Sequence, residues 1–383
     1  MKRFLTFIGL SAAGLCAFGQ ALPLPEISAH EYLLVDMNSD QVLAERGADV
    51  SADPASLTKL MTSYIVFEQL KQHKLTLDQR LPVSMRAWDE RKGGGSLMFI
   101  DTKMQPTVDE LLQGLTVVSG NDAAVALAEG AGDSVENFVA MMNRQAQAWG
   151  LKNTTFKNVQ GLTQAGHRST PRDLVVIAEH VIRDFPEYYH YYSQRDFKYN
   201  NIQQDNRNVL LRRDPSVDGL TTGYNDAAGY CLLASAQRDF PNGKRRLIAI
   251  VMGTSGREAR ADEAQKLLNW GYTAFDDVRL VEAGKAVGAP VAVWKGRQAQ
   301  VALGSAQAIY VAVPKGEGEH LKTQIERTDP LVAPLTKGQR VGALKVTTAA
   351  GAAIATVPLT VLEDVPQAGL FGRAWDAIRL WIK

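Results

Sequence analysis

Residues 31–45 read Glu-Tyr-Leu-Leu-Val-Asp-Met-Asn-Ser-Asp-Gln-Val-Leu-Ala-Glu, two short runs of strand-forming residues on either side of Asn38-Ser39-Asp40, and so predict a hairpin. Residues 55–71 then carry Leu57, Leu60, Met61, Tyr64, Ile65, Phe67 and Leu70, a broad stripe at helical spacing that fits a buried helix. Thr107-Val-Asp-Glu110 reads as a capping box ahead of Leu111, Leu112 and Leu115. Further helices are expected at about 121–130, 134–149 and 171–183, the last announced by Thr170-Pro171. From Leu220 the pattern changes to continuous apolar runs over 229–236 and 246–252, core strands joined by a Pro241-Asn242-Gly243 turn, before helix returns over 258–275. This segment therefore reads as a helical block framed by an antiparallel sheet whose strands come from both of its ends.

After Phe275 the helical period is lost. Short runs over 291–294, 301–303, 309–313, 341–347 and 353–361, broken by Gly and Pro, predict a small β-sandwich. The last residues differ again: Leu370, Phe371, Ala374, Trp375, Ile378, Trp381 and Ile382 fall on one helical face, and Arg373, Asp376, Arg379 and Lys383 on the other. That pattern fits a helix lying in a membrane interface. A helix docked on its own protein would show it too, although Pro366-Gln-Ala-Gly369 is expected to let the segment swing free. The expected division is a leader over 1–20, an α+β domain over 28–276, a β-sandwich over 277–364 and an amphipathic helix over 368–383.

At 383 residues the chain can bury a large core in two domains. Its 42 Lys and Arg against 41 Asp and Glu leave a formal charge of +1, with no broad field for a polyanion, so nucleic acid is not expected as a partner. Met1-Lys2-Arg3, a mostly apolar run from Phe4 to Phe18, and the small residues Ala17, Gly19 and Ala21 form the pattern of an export signal cut near Gln20 or Leu22. A membrane-crossing anchor needs about 20 apolar residues, and this run is shorter and broken by Gly9, Ser11 and Gly14. Cys16 lies inside it, so removal of the signal leaves Cys231 alone and no intrachain disulfide is expected. His30, His73, His167, His180, His190 and His320 are scattered without ligand spacing; no metal and no other cofactor are expected.

Ser56-Leu57-Thr58-Lys59 sets a hydroxyl and an amine three residues apart at a helix start, on one face and within hydrogen-bond reach. A serine is a weak nucleophile until a neighbour takes its proton, and a lysine can do so only where burial or nearby cations lower its pKa. Ser119-Gly120-Asn121 lies between two predicted helices, where a hydroxyl and an amide can relay a proton and hold a carbonyl; alone it is a helix cap. Thr221-Thr222-Gly223-Tyr224 offers an anion a hydroxyl at Thr222 and a ligand close approach at Gly223; alone it is a strand end.

Taken in order, Ser56-x-x-Lys59, Ser119-x-Asn121 and Thr222-Gly223 resemble the signature set of penicillin-binding proteins and serine β-lactamases. Asp53-Pro-Ala-Ser-Leu-Thr-Lys-Leu-Met-Thr-Ser-Tyr64, Gly95-Ser-Leu-Met-Phe99, Ser119-Gly-Asn-Asp-Ala123, Gly150-Leu-Lys-Asn-Thr154, Val217-Asp-Gly-Leu220 and Asp226-Ala-Ala-Gly-Tyr230 are similar to the low-molecular-mass D-alanyl-D-alanine carboxypeptidases. The resemblance runs from about Glu31 to the C-terminal helix. It implies an α+β, penicillin-binding and serine β-lactamase-like domain, then a small all-β domain and a C-terminal amphipathic helix. Ser56 would attack the carbonyl between the two terminal D-alanines of a peptidoglycan stem peptide, Lys59 would receive the proton, and Ser119 would pass it to the leaving D-alanine. Asn121 would hold the peptide, and the backbone N–H groups of Ser56 and Tyr224 would form the oxyanion hole. Thr221, Thr222, Gly223 and Tyr224 would bind substrate, with Arg257 anchoring its terminal carboxylate and Arg207 adding a cation. Each arginine also reads as an ordinary surface residue. β-Lactams would acylate Ser56 and persist because the opened ring stays tethered. The implied place of work is the periplasm, at the outer face of the inner membrane, with residues 370–383 as the peripheral attachment.

Three positions depart from the family pattern. Its third motif begins with Lys and is followed by His, where this chain has Thr221 and Tyr224, and Gln160 stands where a His is often seen. The missing lysine would add charge beside the substrate carboxylate and help depress the pKa of the lysine base. A hydrogen bond to a charged group is worth about 1.5–3 kcal/mol, so Thr221 is expected to lower the rate roughly ten- to a hundredfold. A non-catalytic or weakly active peptidoglycan-binding morphology protein on the same fold stays open. A β-lactamase would need a carboxylate to drive deacylation, and no motif points to one.

Overall fold

A computed structural model of the chain describes residues 22–382. The expected leader over 1–20, with Cys16, lies outside the described residues, as does Lys383. Strands β1 (Glu31–Asp36) and β2 (Gln41–Arg46) form the opening hairpin. A 3-10 turn, Ala55–Thr58, then runs into α1 (Lys59–Lys71), and the segment expected as one helix is divided there. All of α1 except Glu68 and Lys71 is buried, because α2 (Met85–Asp89), α3 (Val108–Thr116), α4 (Asn121–Gly132), α5 (Val135–Ala148) and α6 (Pro171–Asp184) make up the block in whose core it lies. Thr107 and Glu110 complete the expected capping box on α3, and Thr170 caps α6 ahead of Pro171. A small hairpin of β3 (Asp196–Tyr199) and β4 (Ile202–Asp205) and the short α7 (Leu210–Arg213) lead into β5 (Val217–Asn225), β6 (Gly229–Phe240), β7 (Gly243–Thr254) and α8 (Arg257–Ala274).

The five-stranded antiparallel sheet has the order β2-β1-β7-β6-β5, so strands from both ends of the segment meet at its centre and β5 is an edge. Its apolar runs are continuous because both faces are covered. Along β7, Ile248, Ile250 and Met252 pack into the helical block, while Leu247, Ala249 and Val251 pack beneath α8. The architecture is the α+β arrangement the sequence predicts.

The second domain holds β8 (Phe275–Val281), β9 (Val291–Trp294), β10 (Gln300–Val301), β11 (Leu303–Gly304), β12 (Ile309–Pro314), β13 (Lys322–Arg327), β14 (Leu331–Val332), β15 (Arg340–Thr347) and β16 (Ala353–Val361). They pair as small sheets, β10-β9-β14, β11-β16-β15-β13 and β12-β8. Because β8 begins directly where α8 ends, the boundary expected at 276/277 falls within a strand. The two domains are fastened: Gln41 accepts from the Ala312 N–H at 2.7 Å and donates to its carbonyl at 3.2 Å, and Asn38 donates to Asp277 at 3.2 Å.

The final helix, α9 (Leu370–Ile382), is not free to swing. Residues 366–368 are held by Arg297 N–H donating to Pro366 and Ala368 N–H donating to Lys295. The polar face of α9 meets the second domain, with Asp376 accepting the Lys295 N–H at 2.6 Å and the Arg379 guanidinium over the Trp294 ring. Its apolar face points outward, leaving Phe371 94% and Trp381 89% exposed.

Candidate active site

The 3-10 turn gives Ser56 its place. Ala55 is in the left-handed region (φ 45°), uncommon for a residue with a Cβ, and its N–H is held by Asp53 at 2.9 Å. In a 3-10 turn residues three apart eclipse, which brings Lys59 Nζ to 3.0 Å from Ser56 Oγ. Nζ also donates to Asn121 Oδ1 at 2.8 Å and to the Gln160 carbonyl at 2.7 Å. A neutral amine has two hydrogens and a lone pair, so with two carbonyl oxygens taking the hydrogens the lone pair is left for the Ser56 proton. Burial pushes the Lys59 amine down to about 7, against the opposing pull of Glu90 and Asp122. Of the two causes expected to depress it, burial or a nearby cation, burial is the larger one here.

Gln160 arrives on a loop that only glycine permits. At Gly161 (φ 88°) a Cβ would sit 1.8 Å from the Ala55 carbonyl oxygen. The Gln160 side chain, where a His was the family expectation, donates to Glu90 Oε1 at 3.0 Å, and burial raises the Glu90 carboxyl above its ordinary value. A carboxylate therefore stands behind the loop, one that no motif disclosed.

Asn121 is the first residue of α4, where the sequence predicts the helix to begin, and is almost wholly buried. Asp122 next to it accepts the N–H groups of Met98, Phe99 and Ile100 and so fixes the wall that presents Gly95 and Ser96. Ser119 sits at φ 61° with its buried hydroxyl making no hydrogen bond among the described residues.

Ser56, Ser96, Ser119, Asn121 and Gln160 line one side of an open groove of about 880 Å³, and β5, an edge strand among the described residues, lines the other. Gly223 lies against the Ser56 turn, where a Cβ would be 3.3 Å from both Ala55 Cβ and Leu57 Cγ. Thr222, Gly223 and Tyr224 line the groove, but Thr221 does not. Thr221 is buried on the face of β5 it shares with Gly223.

Arg207 and Arg257 both reach the groove, Arg207 half-buried and Arg257 exposed at the start of α8. A third arginine, Arg260, was not anticipated. It is buried, donating to Gly223 O at 3.1 Å and more loosely to Cys231 O and Arg207 O, each at 3.4 Å. Its place was readable from Arg257-Glu-Ala-Arg260, since residues three apart share a helix face. Burial and the neighbouring arginines push its guanidinium down to about 10. None of the three pairs with a carboxylate among the described residues, whereas the lining acids Asp205 and Glu258 are engaged by Arg212 and Arg213. This end of the groove is cationic and suits a carboxylate. His167 is neutral and structural, bonded to Thr58 and Lys157, with burial taking it down to about 4. Among the described residues no cluster of His, Cys, Asp or Glu is placed to hold a metal ion.

Residues 18–256 match the family described as D-alanyl-D-alanine carboxypeptidase, peptidase S11, and residues 275–367 match the penicillin-binding protein 5 C-terminal domain. The chain is 40% identical, over 99% of its own length and 96% of the relative's, to the D-alanyl-D-alanine carboxypeptidase DacA of Haemophilus influenzae. The crystal structure of penicillin-binding protein 5 from Haemophilus influenzae superposes with a TM-score of 0.85 at 41% identity, covering 90% of this chain and all of that one. Penicillin-binding protein D2 from Listeria monocytogenes, solved in its ampicillin-bound form, gives a TM-score of 0.58 at 31% identity over 66% of this chain and 100% of that one.

Proposed function

Because the chain belongs to the serine-type D-alanyl-D-alanine carboxypeptidase family, we propose that Ser56 is its nucleophile and Lys59 its general base in removing the terminal D-alanine from peptidoglycan stem pentapeptides. The observation behind this reading is the set of three contacts at Lys59 Nζ, two to carbonyl oxygens and one to Ser56 Oγ. The neutral amine takes the Ser56 proton as Oγ adds to the carbonyl carbon of the penultimate D-alanine. Charge collects on the carbonyl oxygen, where the N–H groups of Ser56 and Tyr224 receive it. Ser119 passes the proton taken up by Lys59 on to the departing amine, so both side chains return to their starting protonation as the C–N bond breaks, and water later hydrolyses the ester. Asn121 spends its side-chain oxygen on Lys59, which leaves its amide N–H₂ for the peptide. Arg257, with Arg207 beside it, takes the terminal carboxylate.

β-Lactams enter by the same route and acylate Ser56, a reading supported by the ampicillin-bound form of the Listeria relative. With Thr221 in place of lysine the enzyme works below the rate of relatives that keep it. The exposed apolar face of α9 seats the protein on the outer face of the inner membrane, with the groove in the periplasm; among the described residues no helix is long and apolar enough to cross a membrane. The test is release of D-alanine from a stem-pentapeptide mimic together with fluorescent-penicillin labelling. Wild type should do both, Ser56→Ala neither, and Thr221→Lys should be roughly ten- to a hundredfold faster than wild type. Penicillin labelling without D-alanine release would reduce the protein to a penicillin-binding relative without carboxypeptidase activity.

A further inference from the structure

Arg260 sits where a cation is doubly disfavoured. It is only 6% exposed, and it lies in the first turn of α8, the end of a helix whose dipole repels positive charge. A buried cation with no carboxylate partner costs several kcal/mol in order of magnitude, so its donors must be well used. They go to main-chain carbonyls, the shortest contact being 3.1 Å to Gly223 O.

That carbonyl belongs to the same peptide unit as the Tyr224 N–H. From this geometry we infer that Arg260 polarises and fixes the Gly223–Tyr224 peptide, making it a positioning residue for the oxyanion hole. The inference rests on the reading of the Ser56 and Tyr224 N–H groups as oxyanion donors. Amide resonance links the two ends of a peptide: a charged donor on the oxygen draws electron density from nitrogen and strengthens the N–H as a donor. In a trans peptide the carbonyl and the following N–H point opposite ways, so a carbonyl turned to Arg260 turns the Tyr224 N–H away from it, and among the described residues no strand pairs with the outer edge of β5 to occupy that N–H. Gly223 is pressed on its other side by Ala55 and Leu57, which leaves the peptide little room to rotate. A cation thus acts on the third motif through the backbone, in a chain whose third motif has Thr221 at the position of the family's lysine.

The experiment compares wild type, Arg260→Gln and Arg260→Lys as full chains. It reads the rate of Ser56 acylation by benzylpenicillin, kcat and KM for D-alanine release, and the infrared carbonyl band of the penicilloyl ester. Arg260→Gln should acylate about tenfold more slowly with KM changed by no more than about twofold, its ester carbonyl band should move to higher frequency, and Arg260→Lys should recover part of both. An unchanged acylation rate, a loss confined to KM, or a slower variant whose carbonyl band does not move would overturn the inference while leaving the nucleophile assignment intact. Failure of wild type to acylate at Ser56 would instead remove the underlying reading and this inference with it.

Discussion

Lys59 shows how far a single buried amine can be specified by its neighbours. Only its neutral form can take the Ser56 proton, so acylation should rise with pH through about 7, the value to which burial lowers it. Glu90 and Asp122 pull the other way. Glu90→Gln removes one of those charges, and the acid limb of the acylation profile should therefore move to lower pH; a limb that stays put would show that Glu90 is not felt at Nζ. The same shift enters stability. The unfolded lysine holds its proton up to about 10.5 and the folded one only to about 7, so between these values unfolding takes up a proton and the fold gains stability as pH rises. The penalty is fully present below 7. Thermal melts across this window should slope upward for wild type, and less so for Lys59→Met. That Ser56, Lys59 and Asn121 meet, with Ser119 lining the same groove, was legible from the short spacings within Ser56-x-x-Lys59 and Ser119-x-Asn121. Glu90 was not, since it reaches the Gln160 loop from across the fold, whereas Arg260 is marked only by its helical spacing from Arg257.

At the scale of elements, the groove depends on close approach of main chain to main chain. Gly161→Ala forces a Cβ into the Ala55 carbonyl, and it should destabilise the fold by about 2 kcal/mol or more in urea unfolding and abolish penicillin labelling together. Loss of stability alone would mean that the Ser56 turn tolerates the displacement. Long elements with one strong signal were readable: the capped α3, the Pro-started α6, the doubly covered β6 and β7. What escaped notice had little apolar signal. Strand β13, Lys-Thr-Gln-Ile-Glu-Arg, fully buries no residue and is held by pairing with β15 and by half-buried Ile325. The β3–β4 hairpin turns at Asn200-Asn201, both at positive φ (47° and 60°), a turn that fits hairpin twist, but β4, Ile-Gln-Gln-Asp, carries no apolar alternation to mark it as a strand.

Across the whole molecule, the domain that carries the groove, the second domain and α9 are joined by hydrogen bonds rather than by slack. The expectation that residues 366–369 act as a loose tether fails because their backbone is paired to residues 295–297. The helical wheel gave both faces of α9 correctly but could not say which one the protein itself would take, and it is the charged one. If the outward face serves lipid, changing Phe371, Trp375 and Trp381 together to Ser should weaken binding to anionic phospholipid vesicles by about tenfold or more and leave Ser56 acylation unchanged. Equal vesicle binding by the variant would assign that face to something other than lipid.

A protein seated this way stands on a post. With Gln41 clasping Ala312 at one joint and Asp376 clasping Lys295 at the other, a bilayer under the outward face of α9 would find the height and tilt of the groove set by covalent and hydrogen-bonded geometry, so stem peptides would be trimmed within one narrow stratum of the wall and those nearer or farther passed by.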